Sequence, residues 1–204
     1  AADSLLRKKA LENGREDVFC GGGRDLTKEK GMKKKAEKQN IFQEKIPLFS
    51  ELPENAESCA FSGHRELPED FDADGLERAI RTLISGGVHT FLFGGAVGFD
   101  LLAAECVLAL KEKNPALKLV ACIPCADQEK YYPAEDRQRY ARALAGSDEK
   151  ILLAEKYYRG CMHRRNDYMA EKADVLLAYC RKNSGGTAYT VRKFRRAGKP
   201  VFEL

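Results

Sequence analysis

From residue 59 onward, short apolar runs alternate with stretches in which apolar residues recur every three or four positions, and glycines, prolines and polar clusters separate the two patterns. The runs predict strands over residues 59–63, 90–93, 117–123, 150–154, 175–179 and 200–204. The helical periodicity predicts helices over residues 74–85, 99–113, 134–145, 163–173 and 187–197. The strands are nearly continuous in apolar character, as strands covered on both faces are. Strand, turn and helix in repetition, joined by right-handed crossovers, predict an α/β fold with a doubly wound, mostly parallel sheet. Ligands of such sheets bind at the carboxyl ends of the strands.

The pattern changes near Ser58. Residues 1–57 are charged and weakly periodic, with a basic run at Lys28, Lys30, Lys33, Lys34, Lys35 and Lys38 and a loop-like stretch from Pro47 to Asn55. Helices are expected over residues 4–13 and 28–43, on either side of the Gly21-Gly22-Gly23 turn. The division expected is a small helical N-terminal extension over 1–57 and one main domain over 58–204. A chain of 204 residues with 44% hydrophobic content has room for that domain and its core.

Charge and cysteines narrow the function classes. Thirty-five basic and 31 acidic residues leave a net charge of +4, too balanced for a nucleic-acid coat. The seven cysteines, Cys20, Cys59, Cys106, Cys122, Cys125, Cys161 and Cys180, are scattered and sit mostly in apolar patterns, as reduced buried thiols do. No apolar stretch is long enough for a membrane span, and the lysine-rich start lacks the apolar segment of a signal peptide. A cytoplasmic protein without membrane contact is expected.

The strand ends carry the candidate chemistry. Ser62-Gly63-His64-Arg65 closes the first strand, where glycine permits a tight exit and a guanidinium can fork onto a phosphate. Gly94-Gly95-Ala96-Val97-Gly98 follows the second strand and leads into Phe99-Asp100 at a helix start. Its GGxxG spacing is not the dinucleotide fingerprint, and Asp100 is placed either to cap the helix or to accept a ribose hydroxyl. Cys122-Ile123-Pro124-Cys125 is a lone CxxC without the second ligand pair that zinc would need. In the loop beyond it, Gln128, Tyr131 and Tyr132 are able to touch a base or sugar. Arg164-Arg165-Asn166 sets basic side chains near a helix start, against the dipole preference unless an anion sits there. Gly185-Gly186-Thr187 opens the last helix with free N–H groups and a hydroxyl, a compact phosphate nest.

In this order, Ser62-Gly63-His64-Arg65, Gly94-Gly95-Ala96-Val97-Gly98-Phe99-Asp100, Ala103-Ala104-Glu105, Arg165-Asn166 and Gly185-Gly186-Thr187 resemble the SLOG superfamily, most closely its YpsA-like branch. The resemblance spans about residues 59–204 and implies a Rossmann-like fold that binds nucleotides or nucleotide-derived ligands between these turns. The related LOG phosphoribohydrolases carry a glutamate three residues after the threonine of the glycine turn. In this chain that position is Thr190, which removes the clearest catalytic acid. The DNA-processing protein A family is also similar, through Gly98-Phe99-Asp100, Tyr132-Pro133, Arg165-Asn166 and Ser184-Gly185-Gly186-Thr187, and that family binds single-stranded DNA.

The expected function is therefore binding or sensing of a nucleotide-like, ADP-ribose-like small molecule. Its expected contacts are Ser62, Gly63, His64, Arg65, Gly94, Gly95, Gly98, Asp100, Gln128, Arg165, Asn166, Gly185, Gly186 and Thr187. A phosphoribohydrolase-type enzyme is the alternative, with Glu105 or Asp100 activating water. Single-stranded nucleic acid is a second alternative, through the Lys28 to Lys38 run and Arg192, Arg195 and Arg196. No cofactor and no metal site are expected. Self-association is compatible with the sequence and not specified by it.

Overall fold

The structure, a computed structural model, describes residues 52–204. The expected helices over 4–13 and 28–43, the Gly21-Gly22-Gly23 turn, the Lys28 to Lys38 run and Cys20 lie outside the described residues. Six strands form one sheet: β1 (Ser58–Gly63), β2 (Thr90–Phe93), β3 (Lys118–Ile123), β4 (Glu149–Leu152), β5 (Val175–Tyr179) and β6 (Val201–Glu203). Five α-helices alternate with them: α1 (Ala73–Ser85), α2 (Phe99–Lys111), α3 (Ala134–Gly146), α4 (Cys161–Lys172) and α5 (Gly186–Arg196). A 3-10 turn, Gln128–Tyr131, precedes α3.

Every strand pairing is parallel, in the order β4-β3-β2-β1-β5-β6. The chain winds outward from β1 to β4, then α4 carries it back to the other side of β1. That return puts the reversal of winding between β1 and β5, where a doubly wound sheet opens its ligand crevice. Gly63 and Tyr179 are register partners at the carboxyl end of this central pair. The fold is Rossmann-like.

Alternation along the strands explains why both faces are covered. Cys59, Phe61, Phe91, Phe93, Leu119, Ala121, Val175 and Leu177 face one core with α1, α2 and Tyr140 and Ala143 of α3. Ala60, Leu92, Val120, Cys122, Leu176 and Ala178 face the other, against Met169 and Ala170 of α4 and Val191 and Phe194 of α5. On α1 the buried Leu76, Ala79, Ile80 and Leu83 follow helical spacing. Full burial of each large aliphatic side chain contributes roughly 2 kcal/mol. Among the described residues no helix is long and apolar enough to cross a membrane.

Most boundaries shift by a residue or two; for two of the elements the cause is visible. Helix α4 starts two residues early, because Gly160 at φ +106° turns the chain into it directly. Edge strand β4 stops at Leu152, where its pairing with Ile123 ends.

A polar latch joins β1 to β5 at their amino ends. Asp174 Oδ2 accepts from the Ser58 hydroxyl at 2.6 Å and from the amides of Glu57 and Ser58, each at 3.0 Å. Burial pulls the Asp174 carboxyl up, yet the Ser58 hydroxyl and these amides outweigh it and hold it below the usual aspartate value of 3.8. A carboxyl depressed in the folded state adds stability that is complete above 3.8 and is lost as pH falls through the folded value. In urea unfolding, Asp174→Asn is therefore expected to be less stable than the parent near neutral pH and to converge on it toward about pH 2. A gap that stays constant with pH would rule out the charge as its source.

Gly98, at φ +79°, carries the turn from β2 into α2 against the backbone of the β1 exit. An added Cβ would stand 2.2 Å from the Arg65 carbonyl oxygen and 2.6 Å from that of His64. Gly98→Ala is expected to destabilise the domain by about 3 kcal/mol, from positive-φ strain together with the displaced backbone. Urea melts check this, and a loss below about 1 kcal/mol would show that the turn adapts freely.

Candidate functional site

The β2 exit is built around what its glycines leave room for. A Cβ on Gly94 would stand 1.3 Å from Arg165 Nη1, so the guanidinium lies where any side chain would have been. The Gly94 amide donates to Asp100 Oδ2 at 3.2 Å, and its carbonyl accepts from Gln128 Nε2 at 2.9 Å. Tyr132 donates to the Gly95 carbonyl at 3.0 Å and receives Gln128 Nε2 at 3.1 Å. The 3-10 turn and the residue after it thus hold the glycine turn from behind.

Three helices begin at this edge without a side-chain cap. Gly98, Gly160 and Gly185 are the N-cap residues of α2, α4 and α5, and none supplies a capping hydrogen bond. Helix starts without side-chain caps keep N–H donors free for an anion, although the first amides of α2 and α4 are taken here: Phe99 N–H donates to the His64 carbonyl and Cys161 N–H to the Tyr158 carbonyl, each at 3.1 Å. At Gly185 the backbone conformation is the constraint: φ is +92°, and nothing lies within 4 Å of an added Cβ.

Between these helix starts, α2 and α4 bring Asp100 and Arg165 together. Both are buried, with Asp100 Oδ2 3.8 Å from Arg165 Nη1. Arg165 Nε donates to Asn166 Oδ1 at 2.7 Å, whereas Nη1 is fully buried without a hydrogen-bond partner among the described residues. Burial pushes the Asp100 carboxyl up, against the opposing pull of Arg165 and of the amides of Gly94, Ala96 and Gly63. Asn166 Nδ2 reaches the Gly186 carbonyl at 3.4 Å, and the Thr190 hydroxyl donates to the same carbonyl at 2.9 Å.

A cavity of about 300 Å³ opens over this cluster. Ser62, Gly63, His64 and Arg65 form its β1 side; Asp100, Arg165, Asn166, Gly186 and Thr187 form the helix side. Of the remaining expected contacts, Gly94, Gly95, Gly98, Gln128 and Gly185 lie off the cavity wall. Gln128, expected at a base or sugar, is buried with its amide nitrogen committed to Gly94 and Tyr132. Phe61 of β1 also lines the cavity, as do Ala96 and Met162, which were not among the contacts expected from the sequence. Their signal was position alone: one lies inside the glycine turn, the other three residues before Arg165.

Glu105 sits elsewhere. Arg139 of α3 grips it at both oxygens, at 2.8 and 2.7 Å, in an ion pair between α2 and α3. His64 takes a local role as well as a lining one, because its Nε2 accepts the Arg181 amide at 2.7 Å and so ties the β1 exit to the loop after β5. Burial, then the charges of Lys182 and Arg181, lower its pKa and favour the neutral ring that this bond requires.

The other motifs resolve into packing and surface. Cys122 is buried in the α4–α5 face of the core, and Cys125 is buried beside Cys161; burial pushes the Cys122 and Cys125 thiols up to about 12. Among the described residues no three His, Cys, Asp or Glu side chains are grouped to hold a metal. Arg164 is exposed. Arg192 donates to the Asn183 carbonyl at 3.0 Å, and Arg195 pairs with Glu203.

Comparison with known proteins agrees with this architecture. A UPF0398 protein of Halalkalibacterium halodurans is 33% identical over 130 residues, covering 61% of this chain and 69% of that relative. One from Bacillus licheniformis is 30% identical over 125 residues, covering 60% of this chain and 68% of that relative. Among solved structures, DNA processing protein A from Helicobacter pylori, described as binding single-stranded DNA, superposes with a TM-score of 0.54 at 21% identity. That match covers 73% of this chain and 65% of the other, and its likeness is one of fold. The family model described as the YspA SLOG family matches residues 73–200, and the chain belongs to that SLOG family.

Proposed function

We propose that the chain binds a phosphorylated, nucleotide-type ligand in the cavity over Arg165. The observation that carries this reading is the Arg165 guanidinium, whose Nη1 is buried without a hydrogen-bond partner among the described residues. An unsatisfied charged donor in a desolvated site is costly. A phosphate oxygen at this edge would supply charge-assisted bonds to the guanidinium and receive the free amides at the starts of α4 and α5. Asn166 and Thr187 are placed for neighbouring hydroxyl or phosphate oxygens, and Arg65 closes the solvent side.

Binding is favoured over cleavage by the disposition of the carboxylates. Glu105 is held by Arg139, Thr190 occupies the position where the hydrolytic relatives carry an acid, and Asp100 is enclosed by amides and a guanidinium. A second reading, single-stranded nucleic acid laid across the strand ends, draws on Tyr131 and Tyr157, which are 86% and 63% exposed. Affinity falling steeply with salt would favour it over a small ligand.

Calorimetry against nucleoside mono- and diphosphates tests the first reading. Wild type is expected to bind, and Arg165→Met to lose about 30-fold or more in affinity, the worth of charge-assisted hydrogen bonds. Gly186→Asp is the more discriminating variant. Only Asn166 Nδ2, at 3.9 Å, approaches an added Cβ there, so the fold should tolerate the side chain while its carboxylate repels phosphate. Silence of wild type across the panel, or unchanged binding by Gly186→Asp, would end the proposal.

A further inference from the structure

A second cavity, of about 410 Å³, lies at the ends of β5 and β6, beside the His64–Arg181 bond. Its chemistry differs from that of the Arg165 cavity. Phe71 and Tyr179 provide an aromatic floor, with their rings edge to face at a centroid distance of 5.0 Å. Phe99 stacks behind Tyr179 at 6.2 Å and buttresses it. The Arg181 guanidinium lies 5.0 Å from the Tyr179 ring centroid, on an exposed side chain.

Three carboxylates stand on the rim, and two are committed. Asp72 caps α1 through the Gly75 amide and pairs with Arg78, while Glu203 pairs with Arg195. Asp70 is exposed and makes no hydrogen bond or ion pair among the described residues. An aromatic floor, a stacking guanidinium and one free acceptor suit a flat heterocycle with N–H donors on its edge.

The two cavities border register partners on adjacent strands, Gly63 in one and Tyr179 in the other. Adjacent strands are about 4.8 Å apart, within the reach of a single nucleotide. We propose that the Phe71–Tyr179 cavity receives an amino-bearing purine, whose ribose passes the His64–Arg181 bond and whose phosphate lies at Arg165. This rests on the phosphate reading of the Arg165 cavity and extends it to the identity of the other end of the ligand. Asp70 accepts from the purine edge, and Phe71 and Arg181 bound its faces.

The test compares ribose 5-phosphate, uridine monophosphate, adenosine monophosphate and guanosine monophosphate by calorimetry on wild type, Asp70→Ala and Phe71→Leu. At least one purine nucleotide is expected to bind about tenfold or more tighter than ribose 5-phosphate, the worth of one stacked base, with the uridine nucleotide near the sugar phosphate. Both variants are expected to erase that advantage and leave ribose 5-phosphate affinity unchanged. Asp70 is exposed, so its truncation keeps the test valid if Phe71→Leu unfolds. Equal affinities for all four ligands, or a purine advantage that survives Asp70→Ala, overturn the purine cavity and leave the phosphate reading standing. No binding by any of the four removes both.

Discussion

A guanidinium packed against a backbone that carries no side chain sets the geometry of the strand ends. Arg165 lies where a Cβ on Gly94 would be, so the β2 exit and the first turns of α4 meet only because that residue is glycine. Asp100, two residues into α2, stands opposite and binds the Gly94 amide. One buried charge therefore couples three elements, β2, α2 and α4, that the winding of the sheet merely brings near one another. Such a pair is poor evidence of stability, since desolvation offsets most of its attraction. Its value here is positional: it aims a desolvated cation at the crevice.

The topology explains why that cation faces an opening and not the core. Helices α1, α2 and α3 cover one face of the sheet while α4 and α5 cover the other, so the loops after β1 and β5 leave the sheet in opposite directions. The gap between them is a direct result of reversed winding. Glycine N-caps at α2, α4 and α5 leave these helix starts without side-chain caps on that side, although the Phe99 and Cys161 amides donate to the His64 and Tyr158 carbonyls, so the positive helix ends face the gap. Across the His64–Arg181 bond the same edge becomes aromatic and acidic, so two cavities with different linings lie next to each other on one strand pair.

Much of this was legible along the chain. The unbroken apolar runs Cys59–Phe61 and Val175–Leu177 express burial on both faces of the sheet, and helical spacing in Leu76 to Leu83 expresses the buried face of α1. The parallel sheet and its strand-end turns follow from that periodicity and from the right-handedness of crossovers. Ser62 to Arg65, Arg165-Asn166 and Gly186-Thr187 were identified because each stands at a strand exit or a helix start. Gln128 and Glu105 were read as placed for a ligand or for catalysis, and both are engaged by the protein. Gln128 is held by a carbonyl 34 positions away, and Glu105 by an arginine equally distant in the chain.

The sequence by itself determined the elements, their parallel arrangement and the edge at which the glycine turns and basic residues gather, because periodicity and turn chemistry are local properties. Only the tertiary structure decided which polar side chains remain free there. His64 is paired to a backbone amide 117 positions away, Glu105 is neutralised across a helix interface, and one nitrogen of Arg165 finds no partner among the described residues. Whether a donor is satisfied depends on groups from distant segments arriving within about 3 Å, and no local pattern encodes that distance.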